Sequence, residues 1–140
     1  AFAPLRSLRV EQLLGYSDLG ITYLHKMKEL VPGWVMAHGD EASLSRTPGT
    51  TALGLAKKIG KSVVCGHTHR LALQHDTTGL NGRTKTLFGL EVGHLMDIKQ
   101  ASYLTSGIAN WQQGIGLLVE KNNKYTPYAV PIVNGEIVLP

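Results

Sequence analysis

The sequence predicts an α/β domain built on a mixed sheet with flanking helices, and three observations carry that expectation. Two strand-sized apolar runs, "WVMA" (34–37) and "SVVC" (62–65), stand on either side of an amphipathic helical stretch. Beyond residue 70, β-branched and apolar residues recur in short segments. Those segments are separated by Asn-Gly and Asn-Asn pairs, which favour tight turns between antiparallel strands. At 140 residues the chain has the length of one domain able to bury a core, so residues 1–140 are read as one unit.

From the N-terminus, Leu5 to Leu30 reads mainly as helix. Leu13, Leu14, Leu24, Met27 and Leu30 recur near helical spacing, Ser17 and Asp18 can cap a second segment after Gly15, and Val31-Pro32-Gly33 stops it. "WVMAHGD" then reads as a buried strand running out into a loop. In "LSRTPGTTALGLAKKIGK", Thr47 or Thr50 is the expected N-cap. Ala52, Leu55, Ala56 and Ile59 form one apolar face of this helix, and Gly60 terminates it. "SVVCGHTH" is the second strand, ending at Gly66. "RLALQHD" and "TKTLFGLEVG" are strands joined through Asn81-Gly82. "HLMDIKQASYLTSGIANW" reads as irregular with some helix, and the remainder as short strands turning at Asn122-Asn123 and Asn134-Gly135.

Composition narrows the classes. Apolar residues make up 43% and charged ones 17%, which suits a folded globular chain and argues against disorder. No apolar run approaches the roughly 20 residues of a membrane span, so no membrane partner is expected. Fourteen basic against ten acidic side chains give a net charge of +4, scattered rather than striped. That balance tolerates an anionic substrate and argues little for nucleic-acid binding. Cys65 is the single cysteine, which excludes an internal disulfide.

The chemistry concentrates in two stretches of the same grammar: an apolar strand running into a loop that opens with histidine. His38 follows "WVMA", and His67 and His69 follow "SVVCG". Loops at the C-terminal ends of strands in α/β sheets are where sites are commonly built. On nearly extended backbone, His67 and His69 project to one side about 6.5 Å apart, suited to two ions roughly 4 Å apart rather than to one. Gly39 and Gly66 allow close backbone approach. Asp40, two residues past His38, can take the other N–H of a metal-bound imidazole or cap the loop. Arg70 could meet an anionic substrate, or be an ordinary solvated arginine. Cys65 with His67 and His69 could make a structural zinc cluster, though alternation buries Cys65 as a small hydrophobe. His25, on a helical polar face, and His75, beside Asp76 in a hairpin, read as solvated; His94 in "EVGHLMD" stays open.

"GHTHR" (66–70) preceded by "WVMAHGDE" (34–41) resembles the last two metal motifs of the calcineurin-like metallophosphoesterases. The resemblance runs from about residue 30 to 120 and is closest in wording to the family's mycobacteriophage members. It implies a binuclear centre in which His38 and His67 ligate one ion and His69 the other. It also implies two divalent cations (Mn²⁺, Fe or Zn²⁺), a phosphoester substrate among which nucleotides and nucleic acids are candidates, and a cytoplasmic location, that of the host for a phage gene. The fold it implies is a layered α/β/β/α sandwich.

The family's first half carries Asp-x-His, Gly-Asp-x-x-Asp and Gly-Asn-His-Glu/Asp motifs, and none occurs here. The chain opens "AFAPLRSLRVEQLL", without Met or a signal-peptide pattern. The expectation is therefore a C-terminal half, with no catalytic residue of its own and inactive alone. The alternative is a non-enzymatic module, oligomeric or nucleic-acid-binding, whose uncovered sheet favours self-association.

Overall fold

The computed structural model describes residues 9–101, 109–137 and 139. Its central element is a five-stranded mixed sheet in the order β1-β2-β3-β5-β4. The strands are β1 (Lys28–Val31), β2 (Trp34–Ala37), β3 (Ser62–Cys65), β4 (Leu71–Leu80) and β5 (Arg83–Val92). Strands β2, β3 and β5 run parallel, and the edges β1 and β4 are antiparallel to their neighbours. The short apolar runs are buried because they sit inside the sheet: Trp34, Val35, Ala37, Val63 and Cys65 are all shielded from solvent.

Helix α2 (Thr50–Ile59) crosses between β2 and β3. Its apolar face is the expected one: Ala52, Leu55 and Ala56 join Ala37, Val63 and Cys65 in the core, with Ile59 packed alongside. Gly60 ends it in the left-handed conformation as expected (φ 73°), donating to Ala56 O. Its start differs: Gly49 (φ 81°) is the N-cap, with no side-chain cap from Thr47 or Thr50. The first-turn N–H of Thr51 is instead taken by a carboxylate from β5.

The Asn81-Gly82 hairpin forms with both residues at positive φ (52° and 76°), in register from Leu71↔Val92 to Leu80↔Arg83. Strands β6 (Gly114–Lys121), β7 (Lys124–Val133) and β8 (Glu136–Ile137) make a second, antiparallel sheet turning where Asn122-Asn123 and Asn134-Gly135 stand. Two glycines on opposite faces fix the layering. A Cβ on Gly89 would strike the backbone of Leu53 in α2, whereas one on Gly116 would meet Val92 Cγ1 at 2.5 Å and Leu90 Cδ2 at 3.0 Å. The helix lies on one face of the mixed sheet and the second sheet on the other.

The N-terminal region departs from expectation. Of Leu5 to Leu30, residues 5–8 lie outside the described residues, and only Val10–Leu13 (α1) is helical. Gly15 and Gly20 take left-handed conformations that end the turns, and residues 28–31 become the edge strand β1. Of the expected helical stripe, Leu13, Leu14, Met27 and Leu30 are exposed and Leu24 is half-buried. A helix of this length takes most of its stability from burying such a face. Val31-Pro32-Gly33 marks the hairpin into β2 rather than a helix end. In the irregular stretch 94–111 the described helical part is one 3₁₀ turn, Ile98–Gln100, and residues 102–108 lie outside the described residues. The domain is thus mixed-sheet as expected but richer in strand, with α2 the one described helix beyond a single turn.

Candidate metal centre

Parallel pairing of β2 with β3, Trp34↔Ser62 through Ala37↔Cys65, ends both strands at the same level. The residues that follow are therefore neighbours, and Gly66 N–H donates to His38 O at 3.0 Å. The two histidines at these strand ends meet: His67 Nδ1 lies 3.0 Å from His38 Nε2, with the rings edge-to-face. Both are exposed. Two imidazole nitrogens each about 2.1 Å from one ion, at right angles, are also about 3.0 Å apart. Gly39 makes this approach possible. It has φ 123°, and a Cβ there would lie 2.9 Å from His67 Cβ and 3.0 Å from Gly66 O.

The "GHTH" backbone is not extended. His67 (φ 60°) and His69 (φ 56°) both occupy the left-handed region, and Thr68 N–H reaches back to Gly66 O at 2.6 Å. The loop curls, and the two rings diverge instead of lining one side. His69 leaves the His38–His67 pair for His94 and Trp111, with ring centres 6.0 and 4.5 Å away. Left-handed backbone at a residue with a Cβ costs roughly 1–3 kcal/mol and is retained mainly where the surroundings impose it. Burial lowers the proton affinity of His69, and neighbouring His94 and His67 lower it further, so its imidazole favours the neutral, ligating form.

What imposes the curl is a carboxylate that the sequence reading passed over. Glu91, 0% exposed, accepts from Thr68 Oγ1 at 2.8 Å and from Thr51 N–H, in the first turn of α2, at 3.2 Å. Its Oε2 also lies 3.4 Å from Arg70 Nε. Arg70 in turn donates through Nη1 to Ser45 O (2.6 Å) and Arg46 O (2.9 Å). The negative charge sits favourably at a helix N-terminus. The available signal was an acidic residue in the otherwise apolar run "LFGLEVG".

The other expected residues fall as follows. Arg70 is largely buried, its side chain 11% exposed, with Nε beside Glu91 and Nη1 donating to the 45–46 carbonyls, and it lines a pocket with His67 and Trp111. Asp40 is exposed in the wall of an open pocket of about 680 Å³ that also includes His25, His38 and Glu41. The capping role belongs to Glu41, which accepts from Gly39 N–H at 2.8 Å and His38 N–H at 3.4 Å. Partial burial disfavours the Glu41 charge, but these backbone bonds outweigh it and lower the pKa from its ordinary value. Cys65 is a core residue, 1% exposed. Burial, reinforced by Glu91 and Glu41, pushes its thiol up to about 12. His25 is not on a helix; it lies beside Tyr23 and 3.7 Å from Glu11, while His75 is exposed on β4 as expected.

Among the described residues no group of three or more His, Cys, Asp or Glu side chains could hold one ion. The histidines come in two pairs, His38 with His67 and His69 with His94. His94 lies here as a buried residue, 9% exposed, and among the described residues neither its Nδ1 nor the buried Nδ1 of His69 has a hydrogen-bond partner. No described helix is long and apolar enough to cross a membrane.

The chain is similar to the Gene 54 protein of Mycobacterium phage D29, 40% identical over 129 residues, 91% of the chain and 51% of that relative. It is also similar to the Gene 54 protein of Mycobacterium phage L5, 36% identical over 141 residues, 96% of the chain and 55% of the relative. The chain spans about half the length of these curated relatives. No family model matches it, and no solved structure does.

Proposed function

We propose that this chain is the C-terminal half of a binuclear metal-dependent phosphoesterase, acting in the cytoplasm of the phage's host. The observation that carries the reading is the His38–His67 pair, held 3.0 Å apart at the ends of adjacent parallel strands. In this reading His38 and His67 serve one ion and His69 the other, with the carboxylates shared between ions coming from the remainder of the protein. Two divalent ions there supply a bound hydroxide at neutral pH and neutralise charge on the phosphoryl oxygens. Imidazole and carboxylate donors suit Mn²⁺, Fe or Zn²⁺. The chain's own work is positional. Gly39 lets the two histidine loops touch, Glu41 ties down the first, and Glu91 with Arg70 curls the second. The substrate is a phosphoester, with nucleotides and nucleic acids among the candidates. Helix, mixed sheet and antiparallel sheet would be three layers of the α/β/β/α sandwich.

The test is hydrolysis of a generic phosphodiester in Mn²⁺. The 140-residue chain should do no better than buffer with metal, because three histidines split two to one cannot hold a bridging hydroxide. A protein that also carries the aspartate-bearing segment should be active, and His69→Ala should abolish its activity. Robust hydrolysis by the chain alone overturns this account of the site.

One set of observations favours the other reading, a self-associating module that needs no chemistry. Among the described residues Leu13, Leu19, Leu44, Leu80, Leu95 and Leu139 are each more than 60% exposed, and association with a second copy would cover such apolar side chains. Sedimentation of the chain separates the two: a stable oligomer without metal-binding histidines favours the module.

A further inference from the structure

His94 is the histidine outside the expected set that the fold draws into the site. It follows β5, which runs parallel to β3 with Cys65 opposite Glu91, so it emerges at the same end of the sheet as His38 and the "GHTH" loop. Its backbone is clamped, the N–H donating to Gln112 O at 3.1 Å and the carbonyl accepting from Gly114 N–H at 3.2 Å. His94 is 9% exposed and, among the described residues, its Nδ1 has no partner; beside it, His69 Nδ1 is buried and equally unpartnered among them. Leaving one buried polar nitrogen unsatisfied costs about 1–3 kcal/mol, and native folds avoid it unless something else satisfies the group. Here two such nitrogens belong to neighbouring rings whose centres are 6.0 Å apart. A ring centre sits about 3.2 Å from an ion bound by its nitrogen, so two imidazoles on one ion have centres up to roughly 6.4 Å apart. Trp111, 4.5 Å from His69 and 6.3 Å from His94 by ring centre, gives the pair an aromatic wall.

We propose that His69 and His94 together ligate one divalent transition-metal ion, so that the chain contributes two histidine pairs, His38 with His67 and His69 with His94. The inference rests on the metal-centre reading only in taking His69 as a ligand, and it adds His94 as a donor that the metallophosphoesterase resemblance does not supply.

The experiment is a Zn²⁺ titration of the unsubstituted 140-residue chain, followed through the ring nitrogens of its histidines by NMR. The signals of His69 and His94 should move to metal-bound positions together, at one Zn²⁺ concentration. His94→Gln, checked as folded by its backbone amide spectrum, should weaken Zn²⁺ binding at His69 by roughly tenfold or more and leave the His38–His67 response in place. A His94 signal that stays put while His69 shifts overturns the proposal, as does a folded His94→Gln chain with unchanged affinity at His69. The broader reading fails separately: if His69 and His94 bind Zn²⁺ and His38 and His67 do not, the phosphoesterase geometry falls and this inference stands.

Discussion

Replacing Glu91 with alanine removes the acceptor on which three parts of the molecule converge. The carboxylate is 0% exposed and receives Thr51 N–H, Thr68 Oγ1 and the flank of the Arg70 guanidinium at 3.2, 2.8 and 3.4 Å. Without it, Arg70 remains 11% exposed with its countercharge gone, and the first-turn N–H of Thr51 loses its partner. Breaking a buried ion pair from one side costs about 3–5 kcal/mol. For a domain of this size that corresponds to a fall of roughly 10–20 °C in Tm. Glu91→Gln keeps the shape and one good acceptor while discarding the charge, so its cost should be nearer 1.5–3 kcal/mol. Adding Arg70→Met to Glu91→Gln should recover part of that loss, because no buried guanidinium is then left unpaired. Urea unfolding of the three variants gives the comparison, and amide shifts at His67 and His69 report whether the loop has uncurled. Stability of both single variants within about 0.5 kcal/mol of the parent would refute the claim that Glu91 organises the site.

The remaining expectations are more local. Gly39→Ala forces a Cβ to 2.9 Å from His67 Cβ at a backbone of φ 123°; it should cost about 1–3 kcal/mol in unfolding and separate His67 from His38, seen as weaker Zn²⁺ binding at that pair. Cys65, 1% exposed with its thiol raised to about 12, should ignore a disulfide reagent at pH 8 and react fully once the chain is unfolded; reaction in the folded state contradicts its burial. Glu41 has its folded pKa below the ordinary 4.5, so its contribution to stability is present above 4.5 and is lost as the pH falls through the folded value. Glu41→Gln should thus be slightly less stable than the parent at pH 7, with the gap closing on acidification; a gap that widens in acid has the wrong sign.

Local pattern was enough for every element whose burial is settled by neighbours in the chain. The 3.6-residue stripe Ala52-Leu55-Ala56 gave α2 its buried face, and Asn81-Gly82 closed a hairpin because both residues accept positive φ. The same logic failed between Leu5 and Leu30, where an apolar stripe suggested a helix but most of its described residues are exposed. Periodicity shows that a face could be buried; it does not show what lies opposite.

For the site, residue order is enough to show that His38 and His67 follow strands and that glycines stand beside them. Parallel register then brought the two rings together, an outcome readable once β2 and β3 are neighbours. Tertiary structure alone decided the rest. The left-handed turns at His67 and His69, the capture of Arg70 by a buried carboxylate and the arrival of His94 beside His69 depend on β5, which adds to the sheet next to β3. Glu91 lies 23 residues from Thr68 and 40 from Thr51. No pattern within either stretch encodes an interaction that exists only after the sheet has closed the distance between them.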